Sequence, residues 1–143
     1  MPSLKTITPI LGDNYYHIFN RGNNRECIFF TEANYTYFLK LFKKYISPFC
    51  DTLAYCLIPN HFHLLIKIKG SIILETDGES KLITDDEKIG VFVTEQFRRL
   101  FISYSQAIKK QEKIRGNLFS RPFKRLMIED EEYLKYLAFY IHF

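Results

Sequence analysis

The stretch "TLAYCLIPNHFHLLIKI", residues 52–68, constrains the fold most. Two apolar, strand-like runs, TLAYCLI at 52–58 and HFHLLIKI at 61–68, are joined only by Pro59-Asn60. So short a link makes the two strands antiparallel neighbours. The second strand opens with two of the chain's four histidines, His61 and His63. Residues i and i+2 of a strand point the same way, so both imidazoles share a face and Phe62 faces the core.

The other elements arrange themselves around this hairpin. YYHIFNR at 15–21 is a first strand, and RGNN turns the chain. Residues 32–46 place Tyr35, Phe38, Leu39, Phe42 and Tyr45 at helical spacing, with Thr31 as N-cap. A long helix is expected over 91–113, stopped by Gly116-Asn117. FKRLMI at 123–128 is another strand. EDEE then places acids at the positive end of a last helix, YLKYLAFYIHF. The order β-α-β-β-α-β plus a C-terminal helix predicts an α+β, ferredoxin-like split βαβ fold: an antiparallel sheet with helices on one face. The other sheet face is expected to be available for a ligand.

A chain of 143 residues with 47% apolar residues suits a single domain spanning 1–143. Residues 70–90, with two Lys/Arg against six Asp/Glu, are read as an acidic loop insertion. The flanks are basic: eight Lys/Arg against four Asp/Glu over 1–69, and ten against six over 91–143. That distribution suits a polyanionic partner. No run approaches the ~18 apolar residues of a membrane span, and no signal-peptide core is visible. Cys27, Cys50 and Cys56 lack C-x-x-C spacing and are read as reduced core thiols of a cytoplasmic protein. The last helix ends in an apolar run without a cap, so a chain shortened at its C-terminus is expected.

Two imidazoles on one strand face can converge on an ion. Two histidines with an oxygen ligand leave open positions for phosphate, which suits Mg²⁺ or Mn²⁺. A structural zinc site would need two further ligands, and the cysteines offer no recognisable spacing for it. Arg21 and Arg25 flank the first turn. Arg115, Arg121, Lys124 and Arg125 cluster before and on the last strand, with Phe119 and Phe123 between them. This is either a backbone-tracking, base-stacking surface or a solvated strand edge with the two Phe in the core.

The stretches "YHIFNRGNNRECIFF", "LAYCLIPNHFHLLIKI" and "GNLFSRPFKRLMIEDEEYLKYLAFYIHF" resemble the HUH single-tyrosine transposases, in particular the REP-associated tyrosine transposase branch. The resemblance implies metal-dependent cleavage and rejoining of single-stranded or hairpin DNA in transposition. It assigns His61 and His63 to a divalent metal and a tyrosine of the last helix to attack on phosphorus. "YIHF" matches the first half of the family's Tyr-Ile-x-x-Asn-Pro run, which makes Tyr140 the nucleophile and Tyr136 the runner-up. The family's third ligand, an Asn or Gln one helical turn later, would fall past Phe143. Some relatives are homodimers that exchange the last helix, and others act as monomers. Two rival readings stay open: a nonenzymatic DNA-binding module of the same fold, and a small structural-zinc protein.

Overall fold

The computed structural model describes residues 8–120 and 122–142. Its main sheet has four antiparallel strands: β1 (Tyr15–Arg21), β2 (Cys50–Ile58), β3 (His61–Ile68) and a last strand, Lys124–Ile128. The spatial order is β2, β3, β1, then the last strand. Strands β1 and β2 are thus parallel to each other with β3 inserted between them, which is the expected split βαβ arrangement.

Helix α1 (Glu32–Tyr45) starts where Thr31 caps it. The Thr31 hydroxyl accepts from the Asn34 amide at 3.3 Å, and the Asn34 side-chain oxygen accepts from the Thr31 amide at 3.0 Å. This reciprocal box satisfies donors that the first turn leaves open. Asn34 also donates to Gln111 at 3.0 Å, tying α1 to the second helix.

Residues 70–90 differ from expectation. They are not a loop throughout: β4 (Ile72–Thr76) and β5 (Glu79–Ile83) form a separate two-stranded hairpin. Asp77 and Gly78 both take positive φ, 51° and 79°, the backbone that a tight hairpin turn needs and that an Asp-Gly pair supplies. Helix α2 (Asp86–Glu112) also begins earlier than its apolar periodicity indicates. The Asp85 carboxylate caps it, accepting from the amides of Glu87 at 2.9 Å and Lys88 at 3.1 Å. The acids of this stretch are therefore partly helix-start residues.

Helices α1 and α2 cover one face of the sheet. Phe38, Phe42, Phe97, Leu100 and Tyr104 pack there against Tyr16, Ile18, Phe62, Leu64 and Ile66. Phe62 is fully buried, as expected, with ring centroids of Phe101 at 5.3 Å and Phe38 at 5.4 Å. The buried Tyr104 hydroxyl donates to the Ile28 carbonyl at 2.6 Å.

The last strand, β6 (Lys124–Ile128), leads into the last helix, α3 (Glu131–His142), which packs on the opposite sheet face. Leu137 and Ile141 are buried there against Ala54, Leu65 and Ile128, with Leu134 and Ala138 beside them. The spacing of 134, 137, 138 and 141 is one helical stripe. The second sheet face is therefore not wholly available for a ligand: α3 takes the half around Leu65. The cysteines also depart from expectation. All three are free, but only Cys50 is buried, and Cys27 is exposed. Ile28 and Phe29 take the buried places next to it.

Candidate metal and phosphate site

Strand register lays out the face that α3 shares. In one row, His61 lies between Ile58 and Arg21. In the next, Cys56, His63, Phe19 and Lys124 follow one another across four strands. In the third come Ala54, Leu65, His17 and Leu126. The alternation of strand side chains thus brings three histidines onto one face.

His61 and His63 are held in different ways. Their ring centroids are 5.1 Å apart and their planes nearly perpendicular, at 87°. His61 Nδ1 lies 2.8 Å from the Asn60 side-chain oxygen. That oxygen only accepts, so His61 carries its proton on Nδ1 and keeps a lone pair on Nε2. His63 Nδ1 lies 2.9 Å from His17 Nε2, and the two rings are stacked. With His63 donating from Nδ1 to His17, its Nε2 is likewise left with a lone pair. An outer partner on one ring nitrogen fixes the tautomer that lets the other bind a metal. Burial lowers the pKa of both His61 and His63, and the neighbouring His61 lowers that of His63 further. His17 is pushed down to about 4, by burial first and by His63 second. All three imidazoles are thus neutral at pH 7, the form that offers a lone pair.

A cavity of about 310 Å³ opens over His61 and His63. Among the described residues, its wall includes Arg21, Arg25 and Lys124, together with Phe19, Asn60 and Ser120, and no Asp or Glu. The Lys124 ammonium sits 5.8 Å from the Phe19 ring centroid. A concave site lined by cations, with no carboxylate among the described residues, attracts anions.

The structure therefore gathers Arg21, Arg25, Lys124, His61 and His63. It separates the rest of the expected set. Arg125 alternates to the α2 side of β6 and lines another cavity. Arg115 is exposed beyond the end of α2 and lines neither cavity. Arg121 lies outside the described residues. Phe123 is buried in the core, and Phe119 packs partly buried against it. Tyr140 and Tyr136 are exposed on α3, their rings stacked 6.1 Å apart. Among the described residues, no hydrogen bond or ring contact joins Tyr140 to His61 or His63. Also among the described residues, no group of three or more His, Cys, Asp or Glu could hold a metal ion.

His17 is the residue that sequence reasoning passed over. The signal was its place two positions before Phe19 in an alternating strand. It becomes informative only once β1 is known to pair with β3.

No protein-family profile matches the chain. No curated protein matches it either. Among solved structures, the chain is similar to a REP-associated tyrosine transposase bound to a REP hairpin, at 16% identity and a TM-score of 0.49. The similarity covers 93% of this chain and 66% of that one, so this chain spans just under two thirds of its length. No helix among the described residues is long and apolar enough to cross a membrane.

Proposed function

We propose that this protein is a metal-dependent tyrosine endonuclease and strand transferase acting on single-stranded or hairpin DNA, the activity implied by its resemblance to the HUH transposases. The observation that carries the reading is the His61–His63 pair. Each ring has its Nδ1 engaged, by Asn60 or by His17, beneath a cavity lined by Arg21, Arg25 and Lys124.

Two imidazole nitrogens are a partial donor set. They fit an ion whose remaining positions are filled by phosphate oxygens and water better than a closed structural site. A bound Mg²⁺ or Mn²⁺ would supply Lewis-acid polarisation of the scissile phosphate there. The protein's own groups do the rest. Arg21, Arg25 and Lys124 hold the phosphate backbone and offset its charge. The Tyr140 oxygen forms a bond to phosphorus as the bond from phosphorus to the 3′ oxygen breaks. The phenolic proton goes to solvent, and the leaving oxygen takes one up. The products are a 5′-phosphotyrosine and a free 3′-hydroxyl. The phosphodiester energy is conserved for rejoining, so no nucleotide cofactor is consumed.

A nonenzymatic DNA-binding module is the second reading, favoured by the exposure of Tyr140 and, among the described residues, by the absence of a hydrogen bond or ring contact from it to His61 or His63. Incubation of single-stranded and hairpin oligonucleotides with the chain and Mn²⁺, followed by denaturing electrophoresis, separates the two. The enzyme reading expects a covalent protein–DNA band that Tyr140→Phe and His63→Ala abolish. Binding without any such band supports the module.

A further inference from the structure

A second cavity, about 630 Å³ in volume, lies between α2 and the β6 edge. That is within the roughly 300–1,000 Å³ of small-ligand pockets. Its floor is apolar, made by Phe101, Phe119 and Phe123. Arg98, Lys109 and Arg125 contribute its charge, and among the described residues its lining holds no Asp or Glu. Arg98 also bridges Glu95 at 3.1 Å on the exposed helix surface, where solvent screens the pair.

Arg125 is the most telling of these. Its guanidinium lies 4.1 Å from the Phe123 ring centroid. Its Nε is buried and has no hydrogen-bond partner among the described residues. A buried donor without a partner is uncommon in a folded protein and calls for an acceptor. Because that atom is shut off from solvent, an entering phosphate or base oxygen reaches it only if the guanidinium turns toward the cavity that Arg125 lines.

The cavity lies next to the histidine site. Asn20 and Ser120 line both. The two spaces are thus neighbours on opposite sides of the sheet, beside the edge strand β6. An apolar floor, a cationic rim, and Gln106 and Asn117 in the lining match a nucleotide, with a flat base, an anionic phosphate and hydrogen-bonding edges.

We propose that this second cavity binds one nucleotide of a single strand, base and phosphate together, next to the phosphate held in the histidine cavity. The proposal rests on the single-strand reading above. It adds a base-accepting site on the far side of the sheet, with Arg98, Lys109 and Arg125 as its phosphate and base contacts.

The test uses the full chain and a short, fluorescently labelled single-stranded oligonucleotide. Binding is followed by anisotropy for wild type, Ser105→Trp, which fills the cavity, and Lys109→Glu, which reverses a rim charge. Circular dichroism confirms the fold of each, and Mn²⁺ affinity is measured alongside. Both variants are expected to weaken oligonucleotide binding about tenfold or more, with Mn²⁺ affinity unchanged. Wild-type binding by both variants overturns the proposal, as does failure of the wild type to bind any oligonucleotide. Weakened binding in the variants with no covalent band from the wild type upholds the nucleotide site and removes the cleavage reading. A covalent band with unaltered binding in both variants does the reverse.

Discussion

His17 Nε2 and His63 Nδ1 lie 2.9 Å apart, across neighbouring strands and between stacked rings. This contact fixes which nitrogen of His63 faces the cavity, so His17 is a positioning residue for the candidate metal site. Outer-shell partners of metal-bound imidazoles commonly tune affinity by about 10- to 100-fold. His17→Ala is therefore expected to weaken Mn²⁺ binding by that order in calorimetric titration. His17→Gln, which keeps an acceptor, is expected to restore part of it. Equal affinity in wild type and His17→Ala would contradict the role.

The same residue sets a pH dependence. The folded state holds His17 at about 4, below the 6.5 of an ordinary histidine. The unfolded chain therefore binds the extra proton first. This contribution to stability is complete above about pH 6.5 and is lost as pH falls toward 4. In metal-free urea titrations, the wild-type midpoint should fall over that window more steeply than that of His17→Gln. Parallel curves would show that His17 is not held neutral.

Phe62 separates the two histidines in sequence and anchors them in space. It is fully buried against Phe38 and Phe101. Phe62→Ala is expected to cost about 3–5 kcal/mol in denaturant unfolding. Because β3 carries His61 and His63, Mn²⁺ affinity should fall with it.

Gly90 inverts a common rule. Gly→Ala inside a helix ordinarily stabilises by roughly 0.5–1 kcal/mol. A Cβ at Gly90 of α2 would overlap the Ile10 carbonyl, which passes directly over the helix. Gly90→Ala is therefore expected to destabilise, by about 1–3 kcal/mol, as overpacking does. A raised melting temperature would contradict the close approach.

The strand–turn–strand and its shared histidine face were legible because strand periodicity is strict. One link of two residues fixed the pairing of β2 with β3, and i, i+2 spacing fixed the face. His17 was not legible, because its partner depends on the non-local neighbour relation of β1 and β3. The β4–β5 hairpin was hidden by acidic composition, although Asp77-Gly78 carried the turn signal. The opposite faces of Lys124 and Arg125 follow from their adjacency on β6. Reading the basic cluster as one surface overlooked that alternation, and the structure assigns the two residues to different cavities.

In the proposed site, His61 and His63 together hold a divalent ion through Nε2. Electron paramagnetic resonance of Mn²⁺ with the chain and a single-stranded oligonucleotide, read for nitrogen couplings, tests it most directly. One bound Mn²⁺ coupled to two imidazole nitrogens is expected, with one coupling lost in His61→Ala and one in His63→Ala. Mn²⁺ that binds without nitrogen coupling, or equally well when both histidines are replaced, would contradict it.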